Sequence, residues 1–247
     1  MKRVGLILAG GVSLGSFEAG VVYEFLSVLH QYPQNPPFVV DFFVGSSAGG
    51  ILSLMAGFHL SHQFTCQHLT LLRDIWIKHI DYKNLFSSSP APSLLSQKYL
   101  KQLAEKYFHI SETHSFPHSD CVALITVTNL EGVLFGTITP DDTWIIQKVY
   151  KDWFIMDFSR ITKKDTSFLT SLALATSAFP FAFAPIELRR DSCDYKNIPG
   201  GFYQKPCEEG SHLCFTFSDG GIMDNKPLGL ALEYLPRLPS GPQDERM

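Results

Sequence analysis

A serine in a glycine-rich turn is the first side chain of this sequence that could do chemistry. Gly45, Ser47 and Gly49 form the pattern G-x-S-x-G within the stretch VGSSAGG, and Ser46 occupies its variable position. Apolar residues precede this turn, and an apolar stretch with helical spacing follows it. A nucleophile needs such a setting, because small neighbours let the chain bend sharply and expose the hydroxyl. The pattern predicts Ser47 as a nucleophile, with an ordinary tight turn as the alternative.

Two residues are candidates for the base that a serine nucleophile requires. Asp219 ends the stretch FTFSD, and Gly220 and Gly221 after it permit a close backbone turn. His212 is the alternative base, as the one histidine in the second half of the chain, because α/β-hydrolases place their histidine late in the sequence. The other histidines lie among helix ends and polar stretches, and we expect them to be solvated surface residues. They are His30, His59, His62, His68, His79, His109, His114 and His118.

A second glycine turn lies near the start of the chain, in LILAGGVSLG. The stretches LILAGG, FFVGSS and FTFSDGG each read as a buried strand that ends in a turn. In open parallel sheets, reactive groups gather at the carboxyl ends of the strands. We therefore expect the three turns to meet at one edge of the sheet. The N–H groups of the Gly10–Gly11 turn would then lie beside Ser47 and bind the oxyanion of a tetrahedral intermediate.

The elements that must position these residues alternate between strand and helix. The first two strand–turn–helix units predict a parallel sheet with helices on its faces. Residues 68–80, 97–108 and 170–179 have helical patterns, and Pro227 stands at a plausible helix start. Alternation in residues 120–138 predicts two strands joined by a turn at 130–133. Residues 189–210 read as an irregular excursion. We expect one α/β domain over residues 1–235 and a flexible tail over residues 236–247.

Composition excludes several classes of protein. The chain has 247 residues, of which 45% are hydrophobic and 18% are charged, and this is typical of a globular domain with a large core. The net charge of −4 gives no electrostatic basis for nucleic-acid binding. Five cysteines without a C-x-x-C pair disfavour a disulfide framework and a structural zinc site, although Cys193, Cys207 and Cys214 leave one local disulfide open. We expect no cofactor and no metal.

Two stretches need a decision about targeting and membranes. Lys2 and Arg3 precede an apolar run as in a signal peptide, but the run is short and broken by glycines, which favours a buried strand. Residues 168–186 are uncharged, yet Pro180 and Pro185 interrupt them, which favours a short buried helix and an apolar loop. With no convincing signal peptide or transmembrane helix, a cytoplasmic or peripheral membrane location is favoured. The loop AFPFAFAPI is plain core, a wall of an acyl-chain pocket, or a lip that faces a membrane.

Three motifs in order, GGVSLG, GSSAG and DGG, resemble those of the patatin-like phospholipases, and so do ATSAFPFAFAPI and DNKPL. The resemblance covers residues 4–235. It implies a three-layer α/β/α fold with a mainly parallel central sheet. It also implies lipid acyl hydrolysis by a serine–aspartate dyad without histidine, with phospholipids or other lipid esters as substrates.

Carried over by position, Ser47 is the nucleophile and Asp219 is the general base. The resemblance places the oxyanion-hole turn at Gly10, Gly11 and Val12. The other motif glycines are Gly15, Gly45, Gly49, Gly220 and Gly221. The sequence departs from the family pattern at Val12, where a third glycine is common, and at Leu14, where a basic residue is common.

Three alternatives remain open at this point. The first is a Ser-His-Asp carboxylesterase that uses His212. The second is a nucleotide-binding protein with GGVSLG as its phosphate loop, although Val12 breaks the pattern G-x-G-x-x-G. The third is a catalytically silent module that binds lipid.

Overall fold

A computed structural model describes residues 2–11, 14–86, 93–110, 121–195, 202–203 and 212–237. The strands are β1 (Lys2–Leu8), β2 (Phe38–Gly45), β3 (Val122–Ile138), β4 (Trp144–Asp157), β5 (Ile186–Asp191), β6 (Phe202–Tyr203) and β7 (His212–Asp219). The helices are α1 (Gly15–Gln31), α2 (Ala48–His62), α3 (Cys66–Asp74), α4 (Tyr82–Leu85), α5 (Lys98–Tyr107), α6 (Thr166–Thr176), α7 (Gly221–Asp224) and α8 (Leu228–Tyr234). A π-helical segment, Ile75–His79, continues α3.

The strands form one mixed sheet in the order β1-β2-β3-β7-β5, and β4 and β6 also pair with β3. The β1–β2 and β2–β3 pairs are parallel. The pairs of β3 with β4, β6 and β7 are antiparallel, as is β5 with β7. Gly45 at the end of β2 lies opposite Ile125 of β3, and Asp219 at the end of β7 lies opposite Val127. The ends of β2 and β7 therefore meet along β3 from opposite directions.

The direction of β7 differs from the one that the sequence predicted. We expected the three turns to share the carboxyl edge of parallel strands, and β1 and β2 do run parallel. β7 runs antiparallel to β3, so Asp219 reaches the same place from the other end of the sheet. The expected meeting point is correct, but the expected direction of β7 is wrong.

The predicted pair of strands at 120–138 is also wrong, because β3 is one continuous strand of 17 residues. An irregularity lies between Thr128 and Val133, where a turn was predicted. The Asn129 side chain accepts hydrogen bonds from the N–H groups of Glu131 and Gly132, at 3.1 and 2.9 Å. Gly132 has a φ of 68°, which glycine adopts without strain. This local kink is a bulge, and β3 pairs with β4 on both sides of it.

Helices cover both faces of the sheet, and this confirms the predicted three-layer α/β/α class. Side chains of β2 alternate between the two faces. Phe43 packs in the main core, where α1, α2 and α6 contribute most of the helical residues. Phe42 and Val44 point the other way and pack against α8 through Leu230 and Ala231. The central helix α2 is apolar around its whole circumference, which is typical of a fully buried helix.

The uncharged stretch, the cysteines and the tail of the chain were also subjects of sequence predictions. Residues 168–176 make up most of α6, residues 177–185 form an irregular apolar segment, and Ile186 begins β5. Within the described ranges no helix is long and apolar enough to cross a membrane. Cys193 is disulfide-bonded, whereas Cys66, Cys121 and Cys214 are free thiols. Of the predicted tail, residues 236–237 belong to a 3₁₀ turn, and residues 238–247 lie outside the described residues.

Candidate active site

Ser47 stands at the sharp turn between β2 and α2. Its backbone has a φ of 53° and a ψ of −122°, a conformation that residues other than glycine seldom adopt. The turn is tight because Gly49 packs directly on the carbonyl groups of Leu8 and Ala9, where a Cβ atom would collide with both oxygens. The strained backbone agrees with the nucleophile turn that the sequence predicted.

The Ser47 hydroxyl donates a hydrogen bond to Asp219, with 2.7 Å between Oγ and Oδ2. The other carboxylate oxygen, Oδ1, accepts the N–H of Gly221 at 2.7 Å, so that both oxygens have fixed partners. The two side chains are buried, with exposed fractions of 7% and 2%. Burial raises the pKa of Asp219, and the hydrogen bonds from Ser47 and Gly221 offset part of that rise. A carboxylate with a raised pKa is a stronger base than a solvated one.

Thr176, at the end of α6, holds the backbone of Ser47 in place. Its hydroxyl oxygen accepts the N–H of Ser47 at 3.1 Å and donates to the carbonyl of Thr126 in β3 at 2.8 Å. The strained residue is thereby tied to the centre of the sheet. Thr176 lies within the segment ATSAF, but it was not predicted as a site residue. A threonine at the end of an apolar helix was the one available signal.

The glycine turn after β1 lies beside Ser47, as expected. A Cβ atom on Gly10 would stand 3.1 Å from the Cβ of Ser47. However, the N–H of Gly10 donates to the backbone carbonyl of Asn225 at 2.9 Å, and the Asn225 side-chain amide donates to the Gly10 carbonyl at 3.0 Å. The N–H of Gly10 is therefore already bonded in this structure, and the geometry gives no support to the prediction of Gly10 as an oxyanion donor. Asn225 itself was missed, although it belongs to the quoted segment DNKPL.

The two other predicted donors have different outcomes. The N–H of Gly11 has no acceptor within the part of the chain that the structure describes. Val12 lies outside the described residues.

The remaining motif glycines are sites of close packing. Gly15 lies against the ring of Trp76, Gly45 against the carbonyl of Gly49, and Gly220 against the carbonyl of Thr126. Gly221 supplies the N–H that Asp219 accepts. Gly45 and Gly49 therefore belong to the Ser47 turn, Gly220 and Gly221 belong to the Asp219 turn, and Gly15 allows the start of α1 to lie against Trp76.

His212 is not near this site. It begins β7, is exposed, and pairs with Asp191 of β5. Asp219 ends the same strand, seven residues later, which is a separation of about 23 Å in an extended chain. The alternative in which His212 acts as the base is therefore wrong.

Three of the histidines that we expected on the surface form a chain of hydrogen bonds instead. His59 is fully buried and His68 is 7% exposed. His30 Nε2 lies 3.0 Å from His59 Nε2, and His59 Nδ1 lies 3.2 Å from His68 Nδ1. His68 Nε2 lies 3.1 Å from the carbonyl oxygen of Tyr107, which can only accept. The surface expectation is wrong for His59, because α2 has no solvated face, and for His68, because its ring on α3 packs between those of His59 and Tyr107.

The Tyr107 carbonyl fixes the direction of the whole chain. His68 must donate from Nε2, so its Nδ1 accepts from His59. His59 then donates from Nδ1, and its Nε2 accepts from His30. Burial lowers the pKa of His59 well below its usual value and lowers the pKa of His68 to about 4. These shifts keep the rings of His59 and His68 neutral near pH 7. We call His30, His59 and His68 the histidine chain.

A cavity of about 430 Å³ opens at Ser47 and Asp219. Its other walls are mostly apolar and come from α2, the π-helical segment, α5 and the loop after α6. They include Ile51, Trp76, Ile80, Leu100 and Phe183. A smaller apolar void of about 40 Å³ adjoins it and shares Ile51, Ile80 and Leu100. The site can therefore hold an extended apolar group next to the serine. The described residues contain no group of three His, Cys, Asp or Glu side chains suited to a metal ion.

The sequence model of the patatin-like phospholipases matches residues 6–232. The chain belongs to this family. Members of the family are in general hydrolases that act on lipid esters. No curated protein matches the sequence.

Among solved structures, the chain is similar to VipD from Legionella pneumophila, with 13% sequence identity and a TM-score of 0.30. The match covers 90% of this chain and 46% of that one, so the chain spans less than half the length of VipD.

Proposed function

We propose that the protein is a serine lipid acyl hydrolase of the phospholipase A or lysophospholipase type. In this proposal Ser47 is the nucleophile, Asp219 is the general base, and the reaction passes through an acyl-enzyme. One observation carries the proposal: the Ser47 hydroxyl donates to a buried Asp219 carboxylate at 2.7 Å, at the mouth of an apolar cavity.

The first half of the reaction forms the acyl-enzyme. Asp219 Oδ2 accepts the hydroxyl proton as Ser47 Oγ attacks the ester carbonyl carbon. The tetrahedral intermediate then collapses, the bond to the leaving oxygen breaks, and Asp219 returns the proton to that oxygen. The alcohol or lysophospholipid departs. The raised pKa of Asp219 helps the first proton transfer, because the carboxylate accepts a proton more readily than a solvated aspartate does.

Backbone N–H groups would stabilise the oxyanion of that intermediate. The N–H of Ser47 is already bonded to Thr176, and that of Gly10 to Asn225. The donors that we assign are the N–H of Gly11 and the N–H of Ala48 at the start of α2, with Val12 as the third predicted donor. A helix N-terminus favours negative charge, and one good donor is worth roughly 3–4 kcal/mol of transition-state stabilisation.

The second half of the reaction releases the fatty acid. Water donates a proton to Asp219 while its oxygen attacks the acyl carbonyl carbon. The intermediate collapses, the ester bond to Ser47 breaks, and Asp219 returns the proton to Oγ. The apolar walls of the cavity are suited to an acyl chain, since they remove apolar surface from water.

The test compares four proteins on a water-soluble short-chain ester and on a phospholipid. We expect Ser47→Ala and Asp219→Asn each to lower kcat/KM by about 10³ or more. Ser46→Ala is the matched control, because the Ser46 hydroxyl is fully buried and has no hydrogen-bond partner within the described residues. It should retain the wild-type rate. Equal turnover in all four proteins would end the dyad proposal.

The competing function is a silent module that binds lipid without turnover. A fluorophosphonate probe separates the two, because it reacts covalently only with an activated serine. We expect labelling of folded wild-type protein and of Ser46→Ala, and none of Ser47→Ala. Folded wild-type protein that stays unlabelled would favour the silent module.

A further inference from the structure

Exposed apolar side chains border the mouth of the cavity. Phe86, Leu94 and Phe181 have exposed fractions of 67%, 73% and 86%. Their neighbours in the sequence, Leu85, Leu95 and Ala182, line the cavity. Phe179 lines the cavity and is itself half exposed. We call these four side chains the lip.

Backbone hydrogen bonds hold the lip in this exposed arrangement. The N–H of Leu94 donates to the carbonyl of Phe181 at 2.9 Å, and the N–H of Leu95 donates to that of Ala182 at 2.8 Å. A β-bridge joins Phe86 to Leu95. The segments around residues 86, 94 and 181 are therefore tied together, and the exposure of their side chains is set by the backbone.

The backbone of Phe181 is strained in this arrangement. Its φ of 67° lies in the left-handed region, where a bulky residue is a clear outlier. The ring is also among the most exposed apolar groups of the described chain. Backbone strain that yields no packing is typical of a functional position.

The charges next to the lip have a small excess of lysine. Lys83 and Lys98 lie in the segments that carry Phe86 and Leu94, the Asp81 carboxylate accepts the N–H of Lys83 at 3.0 Å, and Lys101 pairs with Glu105 at 3.9 Å. Residues 177–186 contain no charge. An exposed apolar lip with a small excess of lysine beside it is suited to the surface of a bilayer that contains anionic lipid.

We propose that the lip docks on the surface of a phospholipid bilayer and opens the cavity toward it. The proposal rests on the proposed function in that the bilayer would supply the lipid ester. A bilayer suits the lip better than a protein partner does, because a protein seated there would cover the mouth of the cavity. Docking itself requires no turnover, and the two ideas can therefore fail separately.

The test measures binding to vesicles of mixed phosphatidylcholine and phosphatidylserine by co-sedimentation. All proteins carry Ser47→Ala, so that lipid is not consumed. The lip variant combines Leu94→Gln with Phe181→Asn, since asparagine tolerates the left-handed backbone. We expect its partition coefficient to fall about tenfold or more, because two apolar side chains no longer leave water. Leu232→Gln is the matched control, with 57% exposure on α8, on the opposite face of the sheet.

Several outcomes would overturn the docking proposal. One is unchanged vesicle binding in a lip variant whose thermal unfolding matches that of the parent. Another is an equal fall of the partition coefficient in Leu232→Gln, which would indicate non-specific hydrophobic binding of the protein to vesicles. A third is a parent protein that does not bind vesicles but forms a dimer, when the lip variant is a monomer. Hydrolysis of the short-chain ester by the protein with Ser47 intact tests the proposed function independently of all three.

Discussion

The two ends of α2 both bury titratable side chains, but they do so in different surroundings. At the first end, Ser47 and Asp219 face a cavity of about 430 Å³. At the other end, about 17 Å along the helix, His59 is enclosed by His30, His68 and neighbouring aromatic rings. Burial favours the neutral form at both ends, so it raises the pKa of Asp219 and lowers those of His59 and His68.

The comparison teaches that burial and a shifted pKa do not by themselves define an active site. The histidine chain has an ordered set of donors and acceptors, yet none of its three rings lines the cavity at Ser47. Its hydrogen bonds join α1, α2 and α3 to the end of α5. We therefore expect changes at the first end to alter turnover and changes at the histidine end to alter stability.

The largest expected effect is an acid-dependent loss of stability at the histidine end. The pKa of His68 is about 4 in the folded state, below the usual 6.5, so only the unfolded chain gains the proton between these values. Stability is therefore full above pH 6.5 and falls as the pH drops toward 4. The loss is about 3 kcal/mol for His68 alone. Denaturant unfolding at a series of pH values measures it.

His68→Gln is the matched variant for this prediction, because glutamine can still donate to Tyr107 and accept from His59. It should flatten the pH dependence of unfolding between pH 6.5 and 4. Asp219 contributes in the opposite sense, since its raised pKa gives stability at low pH that is lost as the pH rises through that value. A slope that persists unchanged in His68→Gln would contradict the assignment to the histidine chain.

The next effect is on turnover and comes from Thr176. Thr176→Val removes the acceptor of the Ser47 N–H, so the strained turn loses its anchor to β3. We expect kcat to fall by about 10–100-fold, equivalent to the loss of one or two buried hydrogen bonds, with little change in KM. Thr176→Ser should restore the rate, because serine keeps the hydroxyl.

Thr170 provides a control on the same helix. Its hydroxyl is buried and has no hydrogen-bond partner within the described residues, so Thr170→Val should leave kcat unchanged. If both valine variants lost activity equally, the effect would come from α6 as a whole, and Thr176 would have no special positioning role.

The sequence was sufficient to predict that Ser47 and Asp219 lie together, because each belongs to a strand that ends in a glycine turn. It did not predict how they meet, since the pattern of a buried strand is the same in either direction, and β7 is antiparallel. It also gave no assignment for β4, whose residues mix lysine and aspartate with apolar side chains. Its pairing with β3 stabilises the strand.

Polar residues that act through a neighbour were harder to predict. Thr176 had only the weak signal of a threonine at the end of an apolar helix, and Asn225 had none. The roles of both residues depend on contacts across the fold. His59 did have a signal. The stretch ILSLMAGFHLSH is apolar on every face, so a histidine within it has no solvated side to occupy.

A smaller effect is expected for Asn225, which ties the Gly10 turn to the segment after Asp219. Asn225→Ala removes the hydrogen bond to the Gly10 carbonyl but leaves the backbone bond in place. One exposed hydrogen bond is worth about 1 kcal/mol, so kcat should fall by about fivefold. Lys226→Ala, an exposed neighbour, is the control. No change in Asn225→Ala would show that the backbone bond alone positions the turn.

The smallest effect is expected at the outer end of the histidine chain. Cys66 Sγ lies 3.7 Å from His30 Nδ1. In a neutral His30 ring that donates from Nε2, Nδ1 accepts, and the thiol is then the donor. Cys66→Ser keeps a donor at this position, and Cys66 is exposed. The free energy of unfolding should therefore change by less than about 0.5 kcal/mol.

The same variant tests the direction of the chain itself. Nitrogen-15 chemical shifts should show the proton on Nε2 of His30 and His68 and on Nδ1 of His59, in the wild type and in Cys66→Ser alike. A proton on Nδ1 of His68 would contradict the derived direction, because the Tyr107 carbonyl would then face a ring nitrogen without hydrogen. That nitrogen would be a second acceptor at 3.1 Å from the oxygen, a contact that a buried site does not hold without a donor.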